Sequence, residues 1–182
     1  MNLASKVKAG VDTILNSGQN MTMNDTSKIE ATNLADVTVT GTRQMNNLSS
    51  IDPVNVTLDV GNLEMNDTSS ITATNDITGA VGTDMTMNNN SSIVAGNNVT
   101  TNTCTHPTMT TTAAIEATAG TADVTVSRHL LMNLASKIKA GLDTIINIAQ
   151  PITMHDTSNI YTNNTPAAHI TRTSPHTHTI NT

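Results

Sequence analysis

Three aspartates stand at one phase of a recurring phrase: Asp25 in MNDTSKI (23–29), Asp67 in MNDTSSI (65–71) and Asp156 in MHDTSNI (154–160). Glu30 and Glu116 share another phase. Carboxylates gathered on one face could pair as acid and base, or as acid and nucleophile. The competing reading is a turn residue, because an Asx side chain hydrogen-bonds turn backbone and every repeat needs its turn. A residue that returns with the repeat fits a ladder or a turn better than a catalyst, so no catalytic residue is expected.

Histidine offers a second chemistry. The six are His106, His129, His155, His169, His176 and His178. On a strand, His176 and His178 project to one side. Three chains meeting on an axis would then offer imidazoles to a transition metal. His176 and His178 are therefore the metal candidates, against the alternative of a solvated tail. Cys104 lies in TNTCTHP beside His106, where a thiolate pair would lack a third group. Thr-x-Thr pairs recur, at Thr38/Thr40, Thr72/Thr74 and Thr101/Thr103/Thr105 among others. Arrays of this kind suit an ice-binding face, but their phase drifts relative to the repeat. The sequence carries no phosphate-binding glycine loop, zinc-protease HExxH, calcium loop or nucleophile elbow. No cofactor is expected.

Composition narrows the classes further. The 182 residues contain one aromatic, Tyr161, and ten Met; charged residues make up 12% and the formal net charge is −6. Basic residues are scattered, and phosphate-backbone binding needs them clustered, so direct nucleic-acid contact is not expected. No apolar run approaches the length of a membrane span. The opening MNLASKVKAGVDTILN lacks a continuous apolar core and a cleavage site, so it does not read as a signal peptide. A single Cys allows no intrachain disulfide.

Two repeats organise the chain. The shorter is close to 22 residues: Met23, Met45, Met65, Met87 and Met109 are each followed six residues later by Ile29, Ile51, Ile71, Ile93 and Ile115. Met154 and Ile160 repeat the pair. The unit reads apolar-x-Met, five polar residues, then Ile-x-Ala. Apolar-x-apolar is a strand with one face inward, and the Asn/Asp/Ser-rich interval is turn chemistry. Such a unit has the size of one coil of a β-solenoid, whose thin core requires small or flexible side chains. The alternative is an antiparallel β-sandwich built from short strands.

The longer repeat has an offset of 131. MNLASKVKAGVDTILN (1–16) returns as MNLASKIKAGLDTIIN (132–147), identical at thirteen of sixteen positions. Leu3, Val7, Val11 and Leu15, with Leu134, Ile138, Leu142 and Ile146, form i, i+4, i+8, i+12 stripes. These stripes predict two amphipathic helices that cap the solenoid or form subunit contacts. The expected organisation is a capping helix over 1–18, a repetitive β domain over 19–131, a second helix over 132–149, and a further β unit with a Thr/His-rich tail over 150–182.

The Met-x5-Ile-x-Ala units and SSITATND (69–76) resemble, in rhythm, the repetitive β-solenoid proteins of bacterial surfaces and of phage tails and fibres. The resemblance covers roughly residues 20–126 and implies a scaffold without a particular partner. The expected function is a non-enzymatic structural subunit of a virion part (tail, fibre or capsid-associated) or of an extracellular filament. Its partners would be copies of itself or other subunits of the particle. The alternative is a surface binding module, an adhesin or ice-binding face using exposed Thr/Asn ladders. An enzyme on a solenoid scaffold comes third.

Overall fold

A computed structural model describes residues 1–103, 105–163, 169–172 and 179–180. Every strand pairing among them is parallel, so the antiparallel sandwich is not the fold. The chain winds as a β-solenoid, and each coil lays its strands on three faces.

The first face holds Lys6–Ala9, Lys28–Ala31, Ser50–Ile51, Ser70–Ala73, Ser92–Ala95, Ala114–Ala117, Lys137–Ala140 and Asn159–Thr162 in one eight-stranded sheet. The second and third faces belong to one larger sheet. Leu34–Met45 and Asn55–Met65 each run unbroken across both of these faces. In the other coils the two faces are separate strands, such as Ile77–Val81 followed by Met85–Met87.

Register explains why the repeat is legible. On the first face Val7, Ile29, Ile51, Ile71, Ile93, Ile115, Ile138 and Ile160 stack in order. On the third face Met23, Met45, Met65, Met87, Met109, Met132 and Met154 do the same. Met23, Ile29, Met45, Ile51, Met65, Ile71, Met87, Ile93, Met109 and Ile115 are all buried, while Met154 and Ile160 pack partly buried against the same core. The second face closes the core with Val37, Leu58, Val124 and Ile146. Three inward rows meet across a thin lumen, which thioether and β-branched side chains fill.

No helix is present at 1–16 or 132–147, and the helical caps are corrected here. Both segments are ordinary coils: Lys6–Ala9 and Thr13–Ser17 in the first, Lys137–Ala140 and Thr144–Ile148 in the second. The physical reason is periodicity. Offsets of four are even, so a strand's period of two satisfies them as well as a helix does. A helix also needs apolar residues at i+3 or i+7, and Lys6 and Gly10 stand there relative to Leu3. The stripe is in fact divided. Ile138 and Ile146 are buried in strands, Val7 and Leu15 are partly buried at the first coil, and Leu3, Val11, Leu134 and Leu142 are exposed at corners.

Those corners show what was missed. MNLASKV and MNLASKI are versions of MNDTSKI, with Met1 and Met132 in the place of Met23. Coils therefore begin at residues 1, 23, 45, 65, 87, 109, 132 and 154, and the offset of 131 is six coils. The ladder runs through 131/132 and 149/150 without a break.

The third coil is two residues short, and the register shift between Val39 and Thr42 absorbs part of the difference. Gly61 sits at that shift. A Cβ there would lie 2.3 Å from the Thr40 carbonyl oxygen, so only glycine fits.

Candidate functional site

The recurring phrase builds a corner, not a pocket. In MNDTSKI the two residues after Asn24, Asp25 and Thr26, both have positive φ, at 53° and 61°. Ser27 N–H donates to the Asn24 carbonyl at 3.1 Å, closing the turn. The same two positions have positive φ in eight successive corners, from Leu3/Ala4 to Asp156/Thr157, and none of these residues is glycine. Left-handed backbone costs a non-glycine residue on the order of 1 kcal/mol. Hydrogen bonds between coils offset that cost. Thr26 N–H donates to the Asn47 carbonyl, Leu48 to Asp67, Thr68 to Asn89, Asn90 to Thr111 and Thr112 to Leu134, all at 2.8–3.0 Å.

Side chains add two further ladders. Asn24 donates its amide to Asn2, Asn46 to Asn24, Asn66 to Asn46 and Asn88 to Asn66, and the Thr110 hydroxyl then donates to Asn88. Beside them Asn47 donates to the Asp25 carboxylate and Asn89 to that of Asp67. Stacked amides of this kind reinforce parallel in-register strands. Two of the three repeated aspartates, Asp25 and Asp67, thus serve as rungs.

Glu30 and Glu116 are engaged on the outer side of the first face. Glu30 bridges Lys6 at 2.7 Å and Lys28 at 3.0 Å, and Lys28 also reaches Asp52. Hydrogen bonds from Lys6 and Lys28 hold the Glu30 carboxyl down at about 2, well below the usual carboxylate range. At Glu116 burial pushes the other way, but Lys139 and Lys137 prevail and keep it below the ordinary value. A depressed carboxylate stabilises the fold fully above its unfolded pKa, and that contribution is lost as pH falls through the folded one. Between pH 4.5 and about 2, wild type is therefore expected to lose stability faster than Glu30→Gln. Thermal melts across that window check this, and parallel curves for the two proteins would refute it.

The remaining candidates lie apart. Cys104, His176 and His178 lie outside the described residues. Asp84 accepts from the Thr105 hydroxyl at 2.6 Å and lies 3.6 Å from His106; the Thr105 bond, and less so His106, hold its pKa below the ordinary value against desolvation. His129 meets Thr153 at 2.7 Å. Among the described residues no group of three or more His, Cys, Asp or Glu could hold a metal. The threonine pairs are scattered over different surfaces: Thr101 and Thr103 are buried, and Thr105 is at a corner. Thr57, Thr78 and Thr100 instead stack in register on the exposed side of the second face.

Two buried polar features were not anticipated. Ser27, Ser49, Ser69, Ser91 and Ser136 form a fully buried row inside the corner, and their hydroxyls meet no hydrogen-bond partner among the described residues. Ala113 takes the same place in the sixth coil, so small size is what the position requires. Arg43 is the second feature. It occupies an inward ladder position between Met21 and Leu63 and is fully buried. Among the described residues its Nη1 and Nη2 meet only the thioether sulfurs of Met21 and Met23, at 2.9 and 2.8 Å. Its Nε has no partner among the described residues. The signal was present in the sequence, since Arg43 stands two residues before a repeat Met, where the other coils carry Met21, Leu63, Met85, Pro107, Leu130 and Ile152.

These features define a parallel β-solenoid of about seven turns between its eight corners, held by inter-coil ladders at its corners and faces. No known family model, curated protein or solved structure matches the chain. Among the described residues no helix is long and apolar enough to cross a membrane.

Proposed function

We propose that this chain is a non-enzymatic structural subunit, part of a virion tail, fibre or capsid-associated element or of an extracellular filament. One observation carries the reading: the polar residues that recur with the repeat are rungs between coils. Asn24, Asn46, Asn66 and Asn88 bind one another, Asp25 and Asp67 accept from the next coil, and Glu30 and Glu116 bridge lysines of neighbouring coils. Chemistry invested in stacking makes a rod whose mechanical continuity is its use. In a solenoid each coil buries its core only against its neighbours, so the same contacts that build the rod can extend it. Sedimentation velocity over a concentration series tests the reading. Species that grow with concentration are expected, and a monomer at every concentration would refute it.

A binding face is the second reading. The exposed row Thr57, Thr78 and Thr100 favours it, because hydroxyl and methyl groups there repeat at the inter-strand spacing. Thermal hysteresis that disappears when these three become alanine would support that reading over the first.

A further inference from the structure

We propose that the first coil of one copy stacks head to tail on the last coil of another, so that the partner is a second copy of this chain. The proposal rests on the structural reading above and names its contact. The argument comes from a surface that occurs twice in one molecule. Residues 132–147 repeat residues 1–16 with thirteen of sixteen identities, and each of the three changes is apolar for apolar. In the seventh coil that surface is covered by the sixth, through the pairs Ile115↔Ile138, Val124↔Ile146 and Leu130↔Ile152. Ile138, Ile146 and Ile152 are buried there.

In the first coil the matching residues are Val7, Leu15 and Met21, and all three are only partly buried. Their strands, Lys6–Ala9, Thr13–Ser17 and Met21–Met23, pair only with the second coil among the described residues. A terminal cap would carry a polar outer face. The first coil instead carries the apolar pegs of an interior coil, and among the described residues its strands have no neighbour on their other edge; such edges template further pairing.

The last coil supplies the complement. Its ladders continue Ile138↔Ile160 and Ile146↔Ile170, with Ile160 partly buried and Ile170 exposed. The next step of the same register sets Val7 of a second copy over Ile160, and its Leu15 over Ile170. The first is the apolar-on-apolar rung that the chain already makes seven times, from Val7 to Ile160; the second is made four times, in a column that Gly79 and Thr101 interrupt.

Two single variants and their mixture test the contact. Val7→Asp spoils the first coil and Ile160→Asp the last, each placing a carboxylate against an apolar surface that would have to desolvate it. Each variant alone is expected to remain monomeric. Mixed, they should form a 1:1 dimer that grows no further, because each keeps the end the other lacks. Dimer formation also shows that both are folded.

Wild-type filaments should show one axial repeat per copy. Each copy contributes eight strands to the first face, and at a strand spacing of about 4.8 Å that repeat is about 38 Å. Wild type that never assembles removes the structural reading and this contact together. Assembly that persists in Val7→Asp, or a mixture that stays monomeric, removes the contact and leaves the structural reading standing. A repeat of about 29 Å, the height of six coils, would show exchange of the seventh coil for the first of another copy and would overturn simple stacking.

Discussion

Replacing Arg43 with leucine should stabilise the fold by about 3 kcal/mol. Arg43 is fully buried, and desolvation lowers its pKa to about 10. At neutral pH the guanidinium is still charged, and its neighbours are two thioethers, which are weak acceptors. A buried charge without a carboxylate is expensive, and an apolar side chain of similar volume removes the expense. Leu63, the next residue in the same row, shows that leucine fits.

The pH dependence of that gain has a definite sign. Below about 10 both the folded and the unfolded chain hold the proton, and the penalty is complete. Above about 10 the folded chain releases the proton before the unfolded chain does, so the advantage of R43L narrows as pH rises. Urea unfolding at neutral pH should place the R43L midpoint well above that of wild type. An R43L protein equal to wild type or weaker would show that the guanidinium is compensated in solution.

The second large effect separates the members of one stripe. Ile138→Ala and Ile146→Ala should each cost about 3 kcal/mol, the usual loss for truncating a fully buried isoleucine. Leu134→Ala and Leu142→Ala should stay within about 0.5 kcal/mol, since these side chains are 51% and 49% exposed at corners. On a helix the four would share a face and respond alike. In the solenoid the response alternates along the chain. Four denaturation curves decide it, and comparable losses at all four positions would restore the helix.

The same stripe shows why residues 1–16 and 132–147 resemble a helix in sequence and fold as strands. Even spacing is common to both secondary structures, and only the neighbours distinguish them. The better clue was the phrase itself. MNLASK shares Met, Asn, Ser and Lys with MNDTSK at the same four places, and two apolar residues at the tip concealed the match. Leu3/Ala4 and Leu134/Ala135 adopt the same positive-φ corner as Asp25/Thr26. Leucine and alanine have no local preference for that conformation. They adopt it because the coil beside them supplies the register and the bond: Ala135 N–H donates to the Asp156 carbonyl, as Thr26 does to that of Asn47.

By itself the sequence determined the coil length, the inward pegs from Met23 to Ile160, and the preference for a thin core without aromatic rings. Those properties are local: a period, a residue type and a volume recur in the linear order. Only the tertiary structure decided that the strands are parallel, that 1–16 and 132–147 are coils, and that Asp25, Asp67, Glu30 and Glu116 bind the coil next door. It also decided that Arg43 is buried against two thioethers, with no carboxylate beside it among the described residues. Each of these depends on which residue lies about one coil away in the chain but one strand away in space, a distance of roughly 4.8 Å set by hydrogen bonding between coils.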